Sequence, residues 1–180
     1  MIQKTYILDT NVYGELLVEK KSFEAIRKIQ RDKSLYIYGL DVIEHELHDV
    51  PSDKKIKGKV FRELVLSTYN SLIDEELILP PLAKYLALKY YEKYLELRKS
   101  GKYYKIVKAK EFKYNKSDLK IDFEIIAVAS LKNVDIIVSA DKRTMLSKLA
   151  NETYDIINRL NDLKTPNLVD YFEFRKRYIK

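Results

Sequence analysis

The sequence contains no cysteine and no tryptophan, and its 180 residues include only four glycines, four prolines and two histidines. Without cysteine there is no disulfide framework, no thiolate metal ligand and no cysteine nucleophile. So little glycine and proline, beside 46% hydrophobic and 34% charged residues, argues against disorder and for a compact, helix-rich domain. Long apolar runs are missing too. A membrane span needs about 20 apolar residues in succession, and the best stretch, Leu77 to Leu88, is broken by Pro80, Pro81, Lys84 and Tyr85. No signal-peptide pattern precedes Asp9. The expectation is a soluble, cytoplasmic protein with no membrane partner, folded as one domain over 1–180.

Positive charge is in excess. A net charge of +7 and a pI near 9.2 favour a polyanionic partner, because lysine and arginine displace counterions from phosphates. Surfaces rich in Lys and Glu also mark proteins from hot environments.

Strand-like and helix-like segments alternate. Thr5 to Asp9 reads as a buried strand ending in an acid, and Val12, Leu16 and Leu17 recur at helical spacing after it. A second helix has Phe23, Ile26 and Ile29 on one face. Leu35 to Gly39 is the next strand, Asp41 stands where an N-cap belongs, and Val42 to Leu47 forms a short helix stopped by Pro51. Ile56 to Ser71 is amphipathic, and Leu77 to Leu79 is a short strand turned by Pro80 and Pro81. Leu82 to Lys99 is a helix ended by Ser100 and Gly101. Asp122 to Lys132 is a helix and Asp135 to Asp141 a strand. A short helix from Thr144, a strand over Tyr154 to Ile157 and a helix after Pro166 complete the order. Such alternation predicts the α/β class: a three-layer α/β/α arrangement around a central, mostly parallel sheet of about five strands. Residues 80–118 read as a helical and basic insertion.

In a parallel sheet, functional groups collect beyond the carboxyl ends of the strands. Asp9 and Asp141 each end a strand, and Glu46 and Asp122 stand near the starts of helices. Four acids so placed can converge on one crevice. Like charges packed together need cations or raised pKa values to persist, and oxygen-only ligands select hard ions, Mg²⁺ or Mn²⁺. Each acid also has a structural role open to it: Asp9 as a helix cap, Asp122 as a first-turn acid favoured by the helix dipole. Glu44 and Glu46 lie on different faces of one helix, and only one of them can point inward.

The chain resembles the PIN-domain family, which includes VapC-like and archaeal-type nucleases, over nearly its whole length. Ile7-Leu8-Asp9-Thr10-Asn11-Val12 resembles the family's opening strand, and Val42 to Leu47 its second motif, which puts the role on Glu46 with Glu44 a rival. Asp122 to Ala129 resembles the third, an Asp opening an Ala-rich helix, with Asp118 and Glu124 nearby as competitors or supports. Ile137-Val138-Ser139-Ala140-Asp141 resembles the fourth. The resemblance implies a Mg²⁺- or Mn²⁺-dependent endoribonuclease leaving 5′-phosphate and 3′-hydroxyl ends. Its catalytic and metal-binding residues would be Asp9, Glu46, Asp122 and Asp141, with Asn11 and Ser139 behind them holding the carboxylates in place. The implied setting is a toxin with an antitoxin partner, or RNA maturation; the surplus length between 80 and 118 sets the chain apart from minimal VapC toxins. A homodimer through the tyrosine-rich helix from Leu82 is an expectation by analogy.

Three other readings stand beside this. A phosphohydrolase of the haloacid dehalogenase type also starts from a strand-end Asp, but it needs a second Asp where this chain has Asn11. A catalytically silent PIN-fold RNA-binding or scaffold protein is the alternative; retained acids argue against it. His45 and His48 lie three apart, yet zinc would require stricter spacing and a further ligand. The stretch Lys102 to Lys116 interleaves six lysines with four aromatics around one acid, Glu111. That mixture suits single-stranded RNA, and equally a solvated loop anchored by its rings.

Overall fold

The structure, a computed structural model, describes residues 3–56, 58–100 and 116–179, with side chains from 119 onward in the last stretch. The chain divides into two compact units. One comprises Met1–Ile78, Val134–Ala140 and Asn167–Lys180; the other comprises Leu79–Asn133 and Asp141–Pro166.

The first unit holds the whole central sheet. In chain order it contains β1 (Lys4–Leu8), α1 (Thr10–Val18), α2 (Ser22–Arg31), β2 (Leu35–Leu40) and α3 (Asp41–His48). A two-stranded hairpin follows, β3 (Lys55–Ile56) with β4 (Lys59–Val60), then α4 (Phe61–Leu72) and β5 (Glu75–Leu77). The chain later returns with β6 (Ile136–Ser139), β7 (Asn167–Asp170) and a helix over Tyr171–Arg175. The sheet order is β5-β2-β1-β6-β7, and every pairing is parallel. The expected α/β class with five central strands is what the chain adopts.

The strands are apolar because both neighbours and both faces are covered there. Tyr6, Ile7 and Leu8 of β1 and Ile136, Ile137 and Val138 of β6 are all buried. Leu8 pairs with Val138, which brings the residues that follow each strand level with each other. Helix α1 buries Val12, Tyr13, Leu16 and Leu17. Helix α2 turns Ser22, Ala25, Ile26 and Ile29 inward and places Glu24 in its first turn and Lys28 and Arg31 in its last, in keeping with the helix dipole. Phe23 is 56% exposed: the inward stripe begins at Ser22, one residue before the expected position, and continues through Ala25 to the expected Ile26 and Ile29. Gly39 sits where a Cβ would run into the Tyr69 hydroxyl. Its absence lets that hydroxyl reach the Leu40 carbonyl at 3.1 Å and the Glu76 carboxylate at 3.0 Å.

The second unit is helical: α5 (Pro81–Lys99), α6 (Lys116–Leu131) and α7 (Lys148–Leu160). Helix α6 is buried nearly all round from Phe123 to Ser130, the mark of a central helix rather than a surface one. Phe123 meets Tyr90, Tyr94 and Tyr154 at ring separations of 6.2, 5.7 and 5.9 Å. A buried polar knot lies beside them. Tyr90 donates to Asn158 Oδ1 at 2.5 Å, and Asn158 Nδ2 donates to Ser130 Oγ at 3.0 Å and Thr165 Oγ1 at 3.1 Å. Residues 80–99 of the expected insertion belong to this unit together with 116–133 and 141–166; the rest of it, 101–115, lies outside the described residues.

Several boundaries depart from expectation. Tyr154 to Ile157 is not a strand but the middle of α7, whose buried positions Leu149, Ala150, Thr153, Tyr154, Ile157 and Asn158 follow a helical period behind the Ser147 cap. Three apolar residues in a window of four do not separate helix from strand, whereas the longer window does. The strand of that region is β7, starting right after Pro166, and the last helix begins only at Tyr171. No helix starts at Thr144, which is held by Asp141 instead. Asp41 is the first residue of α3, and Leu40 stands at the N-cap position without a side-chain cap bond. The amphipathic stretch from Ile56 is a hairpin up to Val60 and a helix only from Phe61. Among the described residues no helix is long and apolar enough to cross a membrane.

Candidate active site

Asp9 follows β1 directly and is 4% exposed. A carboxylate that deep persists only if hydrogen bonds replace its water. Its Oδ1 accepts from the Thr10 N–H at 2.8 Å, and its Oδ2 accepts from the Ser139 hydroxyl at 2.7 Å and from the Asn11 amide. The Asn11 amide is itself oriented, because its Oδ1 accepts from the Ala140 N–H at 2.8 Å, leaving Nδ2 to face the carboxylate. The parallel register of β1 and β6 is what makes this network, since it sets Asp9 beside Ser139.

Glu46 joins through Thr10. The Thr10 hydroxyl donates to Glu46 Oε2 at 2.5 Å, so one residue holds Asp9 with its backbone and Glu46 with its side chain. Glu44 points elsewhere on α3, its Oε1 lying 4.0 Å from His48 Nε2. Two residues along a helix are roughly 200° apart around its axis, so the two glutamates cannot share a face. His45 and His48 are exposed.

Asp122 and Asp141 belong to the second unit. Asp122 is half-buried on α6, and Glu124 two residues on is 4% exposed and paired with Lys120 at 3.6 Å. Asp118 lies on the same helix with its side chain outside the described residues. Asp141 caps the turn that follows it: Oδ1 accepts from Arg143 N at 2.7 Å and Thr144 N at 3.0 Å, and Oδ2 from the Thr144 hydroxyl at 2.7 Å. Burial works to raise the Asp141 pKa. The Thr144 hydroxyl and the Thr144 and Arg143 N–H groups outweigh it and hold the carboxyl below its ordinary value.

Asp9, Asn11 and Ser139 therefore share one hydrogen-bonded cluster, and Glu46 is tied to it through Thr10. Among the described residues, no three of His, Asp and Glu stand together as a group able to hold a metal ion. Two participants escaped the sequence reading. Thr10 is one, and its only signal was a hydroxyl directly after a strand-end acid. Tyr13 is the other. Its hydroxyl is fully buried and has no hydrogen-bond partner among the described residues, and burial first, then Tyr69 and Asp9, raise its pKa well above the usual value. Residues 102–115 of the lysine- and tyrosine-rich stretch lie outside the described residues.

No family model matches the chain, and no curated protein matches it. Among solved structures, it is similar to a chain in the crystal structure of VapBC2 from Rickettsia felis bound to a DNA fragment from their promoter. The TM-score is 0.41 at 13% identity, covering 92% of this chain and 98% of that one. That likeness is too loose to carry function.

Proposed function

We propose that the chain is a Mg²⁺- or Mn²⁺-dependent endoribonuclease, PIN-like in its site, that hydrolyses RNA phosphodiester bonds to 5′-phosphate and 3′-hydroxyl ends. The observation that carries this reading is the buried Asp9 carboxylate, fixed by Ser139, Asn11 and Thr10 and linked by Thr10 to Glu46. Such effort to hold an acid in place at the carboxyl end of a central strand fits a working group better than a helix cap, which needs only one backbone contact.

The donor set fits a hard cation, being all oxygen. Mg²⁺ keeps several waters and is commonly held by one or two carboxylates plus substrate phosphates, so Asp9 and Glu46 suffice as a protein anchor without a third clustered acid. Asp122 and Asp141 are assigned with them on their order in the sequence. A bound ion would supply electrophilic activation of a phosphate oxygen and of a water. Within the protein, Ser139 and Asn11 orient Asp9, and the Thr10 hydroxyl holds the Glu46 carboxylate. The setting is cytoplasmic, as a toxin with an antitoxin partner or in RNA processing.

Cleavage of labelled single-stranded RNA with Mg²⁺ or Mn²⁺ tests the reading. Asp9→Asn and Asp141→Asn are expected to abolish cutting, and Glu46→Gln to abolish it where Glu44→Gln does not. Full activity in both Asp variants overturns the assignment, and loss in Glu44→Gln alone moves the role to Glu44.

A further inference from the structure

The hairpin between α3 and α4 has no part in the carboxylate cluster, yet it is the most basic run in the first unit. From Lys54 to Arg62 there are five basic residues and no acid. Lys55 pairs with Val60 and Ile56 with Lys59 in antiparallel register, and Gly58 turns the tip at φ +77°. Lys54, Lys55 and Lys59 are exposed. Among the described residues none of the three is paired with a carboxylate.

The base of this hairpin is pinned to the helix that Asp9 caps and to the helix that carries Glu46. The Phe61 N–H donates to the Lys54 carbonyl at 2.7 Å and closes the ribbon. Phe61 is 6% exposed, and a Cβ on Gly14 of α1 would stand 3.5 Å from its ring. Gly14 is about one helical turn beyond Thr10. On the other side Arg62 donates to the His48 carbonyl at 3.3 Å, at the end of the helix that carries Glu46. The Lys54 ammonium lies 4.2 Å over the Phe61 ring, which fixes its stem against this base.

We infer that the Lys54–Val60 hairpin is a phosphate-gripping arm that holds a single-stranded RNA backbone beside Asp9 and Glu46. This rests on the ribonuclease reading. Lysine is a compact, hydrated point charge suited to phosphate oxygens, and contacts of that kind position a strand without reading its bases. No aromatic side chain is exposed on the ribbon to stack a base. The arm therefore contributes affinity and register, and it is indifferent to sequence.

Binding of a fluorescent single-stranded RNA in EDTA, titrated with KCl, separates this from general charge attraction. A Lys54→Gln/Lys55→Gln/Lys59→Gln variant is compared with a control of equal charge change, Lys20→Gln/Lys21→Gln/Lys33→Gln. Losing three phosphate contacts lowers the salt slope of log K by about 2 for a single strand. Parent binding then falls on the order of tenfold more than that of the hairpin variant between 50 and 200 mM salt. In Mg²⁺ the hairpin variant raises KM with kcat held, and the control moves neither quantity. Parent-like slope and KM in the hairpin variant overturn the inference, as does an equal loss in the control. A parent that binds no RNA at any salt overturns the ribonuclease reading itself, and the arm with it.

Discussion

Thr10 reaches 36 residues along the chain to donate a 2.5 Å hydrogen bond from its hydroxyl to Glu46. Thr10→Val keeps the shape and the backbone N–H that serves Asp9 but removes that donor. Partners of this kind usually matter 10- to 100-fold, so kcat for RNA cleavage should fall by about that factor while Thr10→Ser retains most of it. Steady-state cleavage by the two variants decides the matter, and an undiminished Thr10→Val would leave Glu46 without need of its partner.

Gly39 and Tyr69 form a second coupled pair. Gly39→Ala drives a Cβ into the Tyr69 hydroxyl and close to Ile73, and overpacking of this sort costs about 1–3 kcal/mol. Tyr69→Phe removes the nearest clashing atom. Thermal unfolding of both single variants and the double should show the two losses summing to more than the double variant loses. Strict additivity would mean that the backbone shifts freely at this point.

Asn158 is the hub of the polar knot in the second unit. Burial pushes the Tyr90 hydroxyl up to about 12 despite its hydrogen bonds with Ser130 and Asn158. Asn158→Leu removes a partner from Tyr90, Ser130 and Thr165 at once and leaves Tyr90 and Ser130 only their mutual bond at 3.3 Å; an unsatisfied buried polar group costs about 1–3 kcal/mol. Chemical denaturation should show a loss of at least that size. A neutral result would place water in the knot.

Asp32 gives the fold an acid limb. The Ser34 hydroxyl at 2.6 Å lowers its pKa most. Burial opposes the shift; the Ser34 N–H, the Tyr178 hydroxyl and the Arg177 charge reinforce it. A depressed carboxyl stabilises the fold above its unfolded value, about pH 3.9, and that contribution disappears as pH falls through the folded value. Melting temperatures of the parent and Asp32→Asn should therefore differ at pH 6 and converge on acidification. A gap that stays constant to low pH would assign the effect to packing alone.

Much of the first unit was legible because its signals are local. Thr5 to Asp9 and Ile136 to Ser139 are short apolar runs with an acid or hydroxyl at the end, and a parallel sheet gives such runs one place to go. Asn11 and Ser139 could be named only because the motifs that contain them resemble those of the PIN-domain family. Thr10 could not, because its partner depends on where α3 lies. The hairpin at Lys55 to Val60 was hidden by lysines that carry no strand periodicity, and its pairing over two residues each way is set by Gly58. Tyr154 to Ile157 misled through composition: β-branched and aromatic residues in a window too short to show the helical repeat.

The contact between Ser139 and Asp9 spans 130 residues. A strand pairing of that sequence separation closes a very long loop and forms late. During synthesis, Asp9 leaves the ribosome early, but its hydroxyl partner follows only after more than two thirds of the chain has been made. A nascent chain therefore carries the first acid without the strand that orients it, and the Asp9 cluster is assembled only once most of the chain has been made.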